Sequence, residues 1–241
     1  MRFLGVLILA AVASFLGGCR ADKASQASSS FDARVSPSQP PSQPKSAPSA
    51  PETPSAHDDR PLVVCFGDSL TAGYGEDPGA SYPDYLQKDL DAAGFNYRVV
   101  NEGVSGNTTK DGVERVSGIV AMKPAVVVVE FGGNDGLRGL KVQTTKENLA
   151  TILKTLKSAG TKVVIAGISL PPDYGADYVT AFAGNYAALG KQFGMPVLPF
   201  LLKDVYGVDG MMQADRTHAT AKGNEVVAKN VLPYVTPLLK K

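Results

Sequence analysis

The chain has 241 residues, 24 Lys+Arg against 23 Asp+Glu, and a formal net charge of +1. A balance this close to zero, with no basic stripe or long charge run, excludes nucleic acid as a partner. There are two cysteines, Cys19 and Cys65, and no CxxC, HExxH or metal-spaced histidine pair, so no internal disulfide, metal or cofactor is expected.

In chain order, residues 1–18 come first, as "MRFLGVLILAAVASFLGG". One positive charge, an apolar run too short for a membrane span and a stretch of small residues have signal-peptide proportions. "LGGC" ends the run and resembles a bacterial lipobox, which makes Cys19 the lipidated first residue of the mature protein. Arg20 follows. In Gram-negative lipoproteins an Asp at that position commonly signals inner-membrane retention, so Arg20 resembles an outer-membrane address facing the periplasm. The alternatives are an ordinary secretory signal with an incidental cysteine, or an uncleaved anchor. Residues 19–60 form a linker: from Arg20 to Arg60 there are 10 Ser and 7 Pro and almost no large apolar side chains. Such a segment cannot offset its ordering entropy, and as a flexible coil it averages about 35 Å end to end.

Residues 61–241 make one domain of ordinary size. From Pro61 onward the charges balance, 18 Lys+Arg against 18 Asp+Glu. Five apolar runs recur: 62–66 "LVVCF", 97–100 "YRVV", 125–131 "AVVVVEF", 162–168 "KVVIAGI" and 196–200 "PVLPF". They are β-branched or aromatic and nearly continuous, which suits strands covered on both faces. Cys65 falls inside the first and reads as a packed core thiol. Helical spacing fills the intervals at 82–94, 108–122 (behind possible caps Asn107 and Thr108), 144–160, 177–194 and 220–239. Alternation of strand and helix predicts an α/β fold, three layers α/β/α around a central parallel sheet of about five strands.

In such a sheet, ligands bind beyond the carboxyl ends of the strands. The first strand is followed by "GDSL" with Ser69, the second by "NEGVSGNTT" with Gly106 and the third by "GGNDGLRG" with Asn134. Well after the fifth comes "ADRTHAT" with Asp215 and His218. A hydroxyl, backbone donors, an amide and an Asp–His pair thus gather at one edge. Each has a plain structural alternative: Ser69 and Asp68 as a helix cap, Gly106 as a turn residue, Asn134 as a helix cap, Asp215 as a solvent-facing cap. Of the two histidines, His57 falls in the linker, so His218 is the one candidate base. A carboxylate three residues before it, in a tight loop or first helical turn, reaches the ring and orients it. Asp68 and Asp135 support the site turns or cap helices. Leu137, Leu140, Pro171, Pro172 and Tyr174 line an acyl groove or are loop packing.

Four blocks in this order, "GDSL", the Gly106 block, "GGND" and D-x-x-H, resemble the GDSL or SGNH hydrolases. "GDSLTAGYG", "GGNDGLRG", "LPPDYG" and "VLPFLLKDVY" look closest to the small bacterial thioesterase, lysophospholipase and arylesterase branch. The resemblance implies a flavodoxin-like SGNH fold and a serine esterase acting on small-molecule carboxylic esters or thioesters; a monomer is expected. It implies Ser69 as nucleophile, Asp215 and His218 completing the triad, and an oxyanion hole from the Ser69 and Gly106 N–H groups and the Asn134 amide. Relatives on this scaffold also include carbohydrate O-deacetylases, and a catalytically silent binding module is the reading from another class. In one respect the chain departs from the family: Gly often follows the Asp and Pro the His, where this chain has Arg216 and Ala219.

Overall fold

The computed structural model describes residues 58–241. The expectations for the signal segment, Cys19 and His57, and for all but the last three linker residues, fall outside them. The strands are β1 (Leu62–Gly67), β2 (Arg98–Gly103), β3 (Val126–Glu130), β4 (Lys162–Ala166) and β5 (Val197–Leu198). They form one parallel sheet in the order β2-β1-β3-β4-β5. The central strands are buried almost without break: Val63 to Phe66 and Val126 to Val129 are 0–1% exposed. Each such side chain contributes about 1.5–3 kcal/mol by leaving water. That burial on both faces is the reason the runs read as continuous rather than alternating.

Seven α-helices and two short 3-10 turns, Pro172–Tyr174 and Thr236–Leu238, complete the described unit. The α-helices are α1 (Ser69–Ala72), α2 (Tyr82–Ala92), α3 (Thr109–Ala121), α4 (Gly133–Leu137), α5 (Val142–Ser158), α6 (Ala176–Phe193) and α7 (Ala221–Val235). α2 packs on α7, while α3 packs on α5 and α5 on α6. Right-handed crossovers put the first pair on one face of the sheet and the other three helices on the opposite face, giving the three layers. Among the described residues no helix is long and apolar enough to cross a membrane.

Element bounds shift for local reasons. β2 runs three residues past its apolar stretch because Asn101, Glu102 and Gly103 pair with Cys65, Phe66 and Gly67 through backbone alone. β5 is cut to two residues between Pro196 and Pro199, since proline cannot donate to a ladder. α3 is capped by Thr108, not Asn107. The Thr108 hydroxyl and N–H both donate to Asp111 at 2.7 Å, closing a capping box.

The chain leaves β1 in one direction to form β2 and returns past it to form β3. The crevice beyond the carboxyl ends of β1 and β3 is therefore the topological switch point of the sheet, where a ligand is expected.

Candidate active site

Ser69 opens α1 directly after β1. Asp68 caps that single turn, its Oδ1 accepting from the Leu70 N–H at 3.0 Å, and Gly73 ends it in the left-handed region. The hydroxyl is thus held on a tight strand-to-helix turn at the switch point.

His218 reaches it from a hairpin formed by residues 211–220. The Gln213 N–H donates to the His218 carbonyl at 2.8 Å, and Met212 bridges Ala219. Gln213 Nε2 also donates to the Tyr74 carbonyl at 2.7 Å, tying this hairpin to the segment behind α1. Ser69 Oγ lies 2.8 Å from His218 Nε2, and His218 Nδ1 lies 2.7 Å from Asp215 Oδ2. A carboxylate only accepts, so Nδ1 carries the ring hydrogen. The neutral ring then accepts at Nε2, and the Ser69 hydroxyl must donate to it. Asp215 does not cap α7, whose N-cap is Thr220. Its Oδ1 instead accepts from the Thr217 and His218 N–H groups at 2.9 and 3.0 Å. Partial burial works to raise the Asp215 carboxyl. The His218 ring and these two N–H groups outweigh it and bring the group down to about 2. It therefore stays ionised at any neutral or mildly acidic pH. The stability it contributes is present above the unfolded carboxylate value and is lost as pH falls through about 2.

The structure brings the three expected oxyanion donors to the same edge of the sheet. The Ser69 N–H, at the start of α1, and the Gly106 N–H have no partner among the described residues. Gly106 has φ +83 and open space where a Cβ would stand, and its carbonyl accepts from Arg138 Nη2 at 3.0 Å. Asn134 differs: both its amide hydrogens are engaged. One goes to the Asn107 carbonyl at 2.9 Å and one to Asp68 Oδ2 at 3.2 Å. The amide thus bridges the residue before Ser69 and the residue after Gly106.

Asp68 both caps α1 and holds Asn134. Asp135 caps nothing of its own: its Oδ2 accepts from the Thr109 N–H at 2.8 Å and its Oδ1 from the Thr109 and Thr145 hydroxyls, pinning α3 and α5 to the Asn134 turn. A cavity of about 450 Å³ lies alongside, lined by Leu70, Leu137, Ile168, Leu170, Pro171, Pro172, Phe200 and Leu202, with Tyr206, Arg216 and Thr217. Leu137, Pro171 and Pro172 are thus in the groove, as one sequence reading has it. Leu140 and Tyr174 are outside its lining: their polar groups hold loops, Tyr174 Oη donating to the Leu137 carbonyl and the Leu140 carbonyl accepting from Tyr178. Arg216 sits at φ +58, which explains why a glycine suits that position; a side chain there costs roughly 1–2 kcal/mol.

Three features escape a reading of the sequence. Tyr74 packs its ring 4.7 Å from that of His218. The apolar wall of the groove comes from segments after four different strands, β1, β3, β4 and β5. Glu130, the last residue of β3, is fully buried beside Asp68; a charged residue at the end of an otherwise apolar covered strand was the available signal. Cys65 is buried, and burial pushes its thiol up to about 12, as befits a core residue.

Fold and site together define a class: a hydrolase of carboxylic esters built on a three-layer fold with a parallel central sheet. Residues 65–226 match the model of the GDSL-like lipase/acylhydrolase family, and the chain belongs to that family. It is 43% identical to "Esterase TesA" of Pseudomonas aeruginosa, covering 74% of this chain and 88% of that one. It is 35% identical to "Thioesterase 1/protease 1/lysophospholipase L1" of Escherichia coli K12, covering 73% and 84%. A crystal structure of TesA superposes with a TM-score of 0.72 at 41% identity over 74% of this chain and 99% of that one. An acetyl xylan esterase, at 22% identity and a TM-score of 0.61 over 72% and 99%, shares the fold alone.

Proposed function

We propose that the protein is a serine esterase for acyl esters and thioesters with an apolar chain, acting as a monomer through an acyl-enzyme. The observation that carries this is the unbroken series from Ser69 Oγ through the His218 ring to the Asp215 carboxylate. Ser69 Oγ attacks the acyl carbonyl as its proton passes to His218 Nε2, and the carbonyl π electrons move onto oxygen. Asp215 stabilises the imidazolium. Collapse breaks the bond to the alcohol or thiol, which leaves with the proton from Nε2. Water then repeats the sequence on the acyl-enzyme and restores Ser69. The Ser69 and Gly106 N–H groups and the Asn134 amide meet the charge on the carbonyl oxygen.

Two features support an acyl chain longer than acetyl. The groove beside Ser69 is apolar. The exposed large apolar side chains among the described residues are Tyr74, Val104, Leu137, Leu140, Tyr174, Tyr206 and Val208, and all lie on segments leaving the carboxyl ends of the strands. The names of the relatives, esterase, thioesterase and lysophospholipase, point the same way. A panel of p-nitrophenyl esters from acetate to palmitate tests the reading. Each methylene buried is worth about 0.8 kcal/mol, so kcat/KM is expected to rise roughly fourfold per methylene until the groove is full. Hydrolysis of acetate alone would favour a carbohydrate O-deacetylase, and no hydrolysis at all a binding module.

The envelope location is proposed on the lipobox-like "LGGC" and the Arg20 that follows it. Lipid on Cys19 holds the domain at the outer membrane facing the periplasm, on the Ser/Pro-rich tether; several acyl chains on one residue anchor stably where one does not. In fractionated cells the wild type is expected in the detergent-extractable membrane pellet, its mature mass raised by lipid, and Cys19→Ala in the soluble fraction. A soluble wild type beginning at another residue would exclude the anchor and leave the esterase reading untouched.

A further inference from the structure

Glu130 is 0% exposed, and it pairs in register with Gly67 at the very end of β1. Its Oε2 accepts from the Asp68 N–H at 3.3 Å and from the Thr71 hydroxyl at 2.8 Å, so one oxygen holds both the residue before Ser69 and the turn that carries it. Its Oε1 is buried with no hydrogen-bond partner. The space is closed by design of the backbone: a Cβ on Gly67 would lie 2.6 Å from Oε2 and 2.1 Å from the Thr71 hydroxyl oxygen. Beside it, Asp68 is 1% exposed and has a donor on each oxygen, Leu70 N–H and the Asn134 amide.

Two adjacent buried carboxylates cannot both hold a charge in so dry a place. The donors decide which one does. Asp68 is served on both oxygens and Glu130 on one only. A bare charge spread onto the orphaned Oε1 would cost far more than a hydroxyl there.

We propose that Glu130 is a positioning residue that works as a neutral carboxylic acid: protonated at Oε1, it fixes the Ser69 turn through Oε2 and leaves the Asp68 carboxylate as the single negative charge that aligns the Asn134 amide. Its effect on turnover rests on the serine-nucleophile reading above; its protonation does not. The surroundings agree. Burial, and then the Asp68 charge, hold the Glu130 carboxyl well above the usual range, while burial lifts Asp68 only to about 6. The other titratable groups facing the pair are Tyr82 and Tyr186, both buried and held neutral, and His218, which faces Asp68. Arg115 Nη1 reaches no nearer than the Gly67 carbonyl, at 3.5 Å.

A raised value in the folded state means stability that is full below the unfolded glutamate value and lost as pH rises toward the folded one. Glu130→Gln keeps the shape of the neutral acid and cannot ionise. Above the unfolded glutamate value, denaturant unfolding is expected to show the wild-type unfolding constant rising with pH relative to Glu130→Gln, by up to about tenfold per pH unit, until the folded value is reached. In turnover of a p-nitrophenyl ester, Glu130→Ala is expected to lose about 10²-fold in kcat, because the turn shifts, and Glu130→Gln to recover most of that loss. As pH rises through the folded Glu130 value, wild-type kcat is expected to fall while that of Glu130→Gln holds. A stability ratio independent of pH, a Glu130→Gln that fails to fold, or one as slow as Glu130→Ala would overturn the proposal. A pH-dependent ratio together with an active Ser69→Ala would instead remove the nucleophile assignment, and with it the positioning role.

Discussion

Ser69→Ala is expected to lower kcat/KM for p-nitrophenyl esters by at least about 10³-fold. The hydroxyl is the only group removed, and its hydrogen bond is to His218 Nε2 at 2.8 Å. Without it the imidazole can activate water at best, and no acyl-enzyme forms. The fold should be indifferent. Residue 69 is the first of a helical turn whose cap is the Asp68 carboxylate, and that contact does not involve the Ser69 side chain. Alanine is also the best helix former. The control is therefore an unchanged denaturant midpoint alongside the lost turnover. A folded Ser69→Ala that turns over at near the wild-type rate would end the serine mechanism.

Asn134→Ala is expected to lower kcat by about 10²–10³-fold with a smaller effect on KM. The amide meets charge that exists only once the carbonyl has been attacked, so its loss falls on the transition state. The structure adds a second consequence. The same amide joins Asn107 to Asp68, and removing it breaks two hydrogen bonds, each worth about 0.5–1.5 kcal/mol net. A modest loss of stability should accompany the loss of rate. The two are separable, since a structural defect alone would not spare KM. If KM rises and kcat holds, Asn134 binds substrate and has no part in stabilising the oxyanion.

The fold was legible where burial is two-sided. Val126 to Val129 reads as a strand because both faces are covered, and that pattern survives in the bare sequence. β2 was only half legible. Asn101 to Gly103 are held by backbone pairing at the edge of the sheet, and hydropathy carries no trace of that. α1 and α4 are single turns, four and five residues long, with no periodicity to detect.

At the site, Ser69, Asp215 and His218 stood out because a second histidine in the domain does not exist and the Asp lies three residues away. The groove was not legible, since Leu70, Leu170 and Phe200 converge only when three loops fold over one edge. Asn134 was recognised as a donor, but its engagement with Asp68 and Asn107 depends on contacts across 66 and 27 residues of chain. Glu130 closes a run of valines, and hydropathy alone groups it with them.

Covalent labelling tests the central claim most directly. A p-nitrophenyl alkylphosphonate mimics the attacked acyl group and is trapped by the nucleophile itself. Mass spectrometry of the inactivated protein is predicted to show one adduct per chain, on the peptide carrying Ser69, with activity lost in step with labelling. Inactivation with Ser69 unmodified and the adduct on another residue would contradict it.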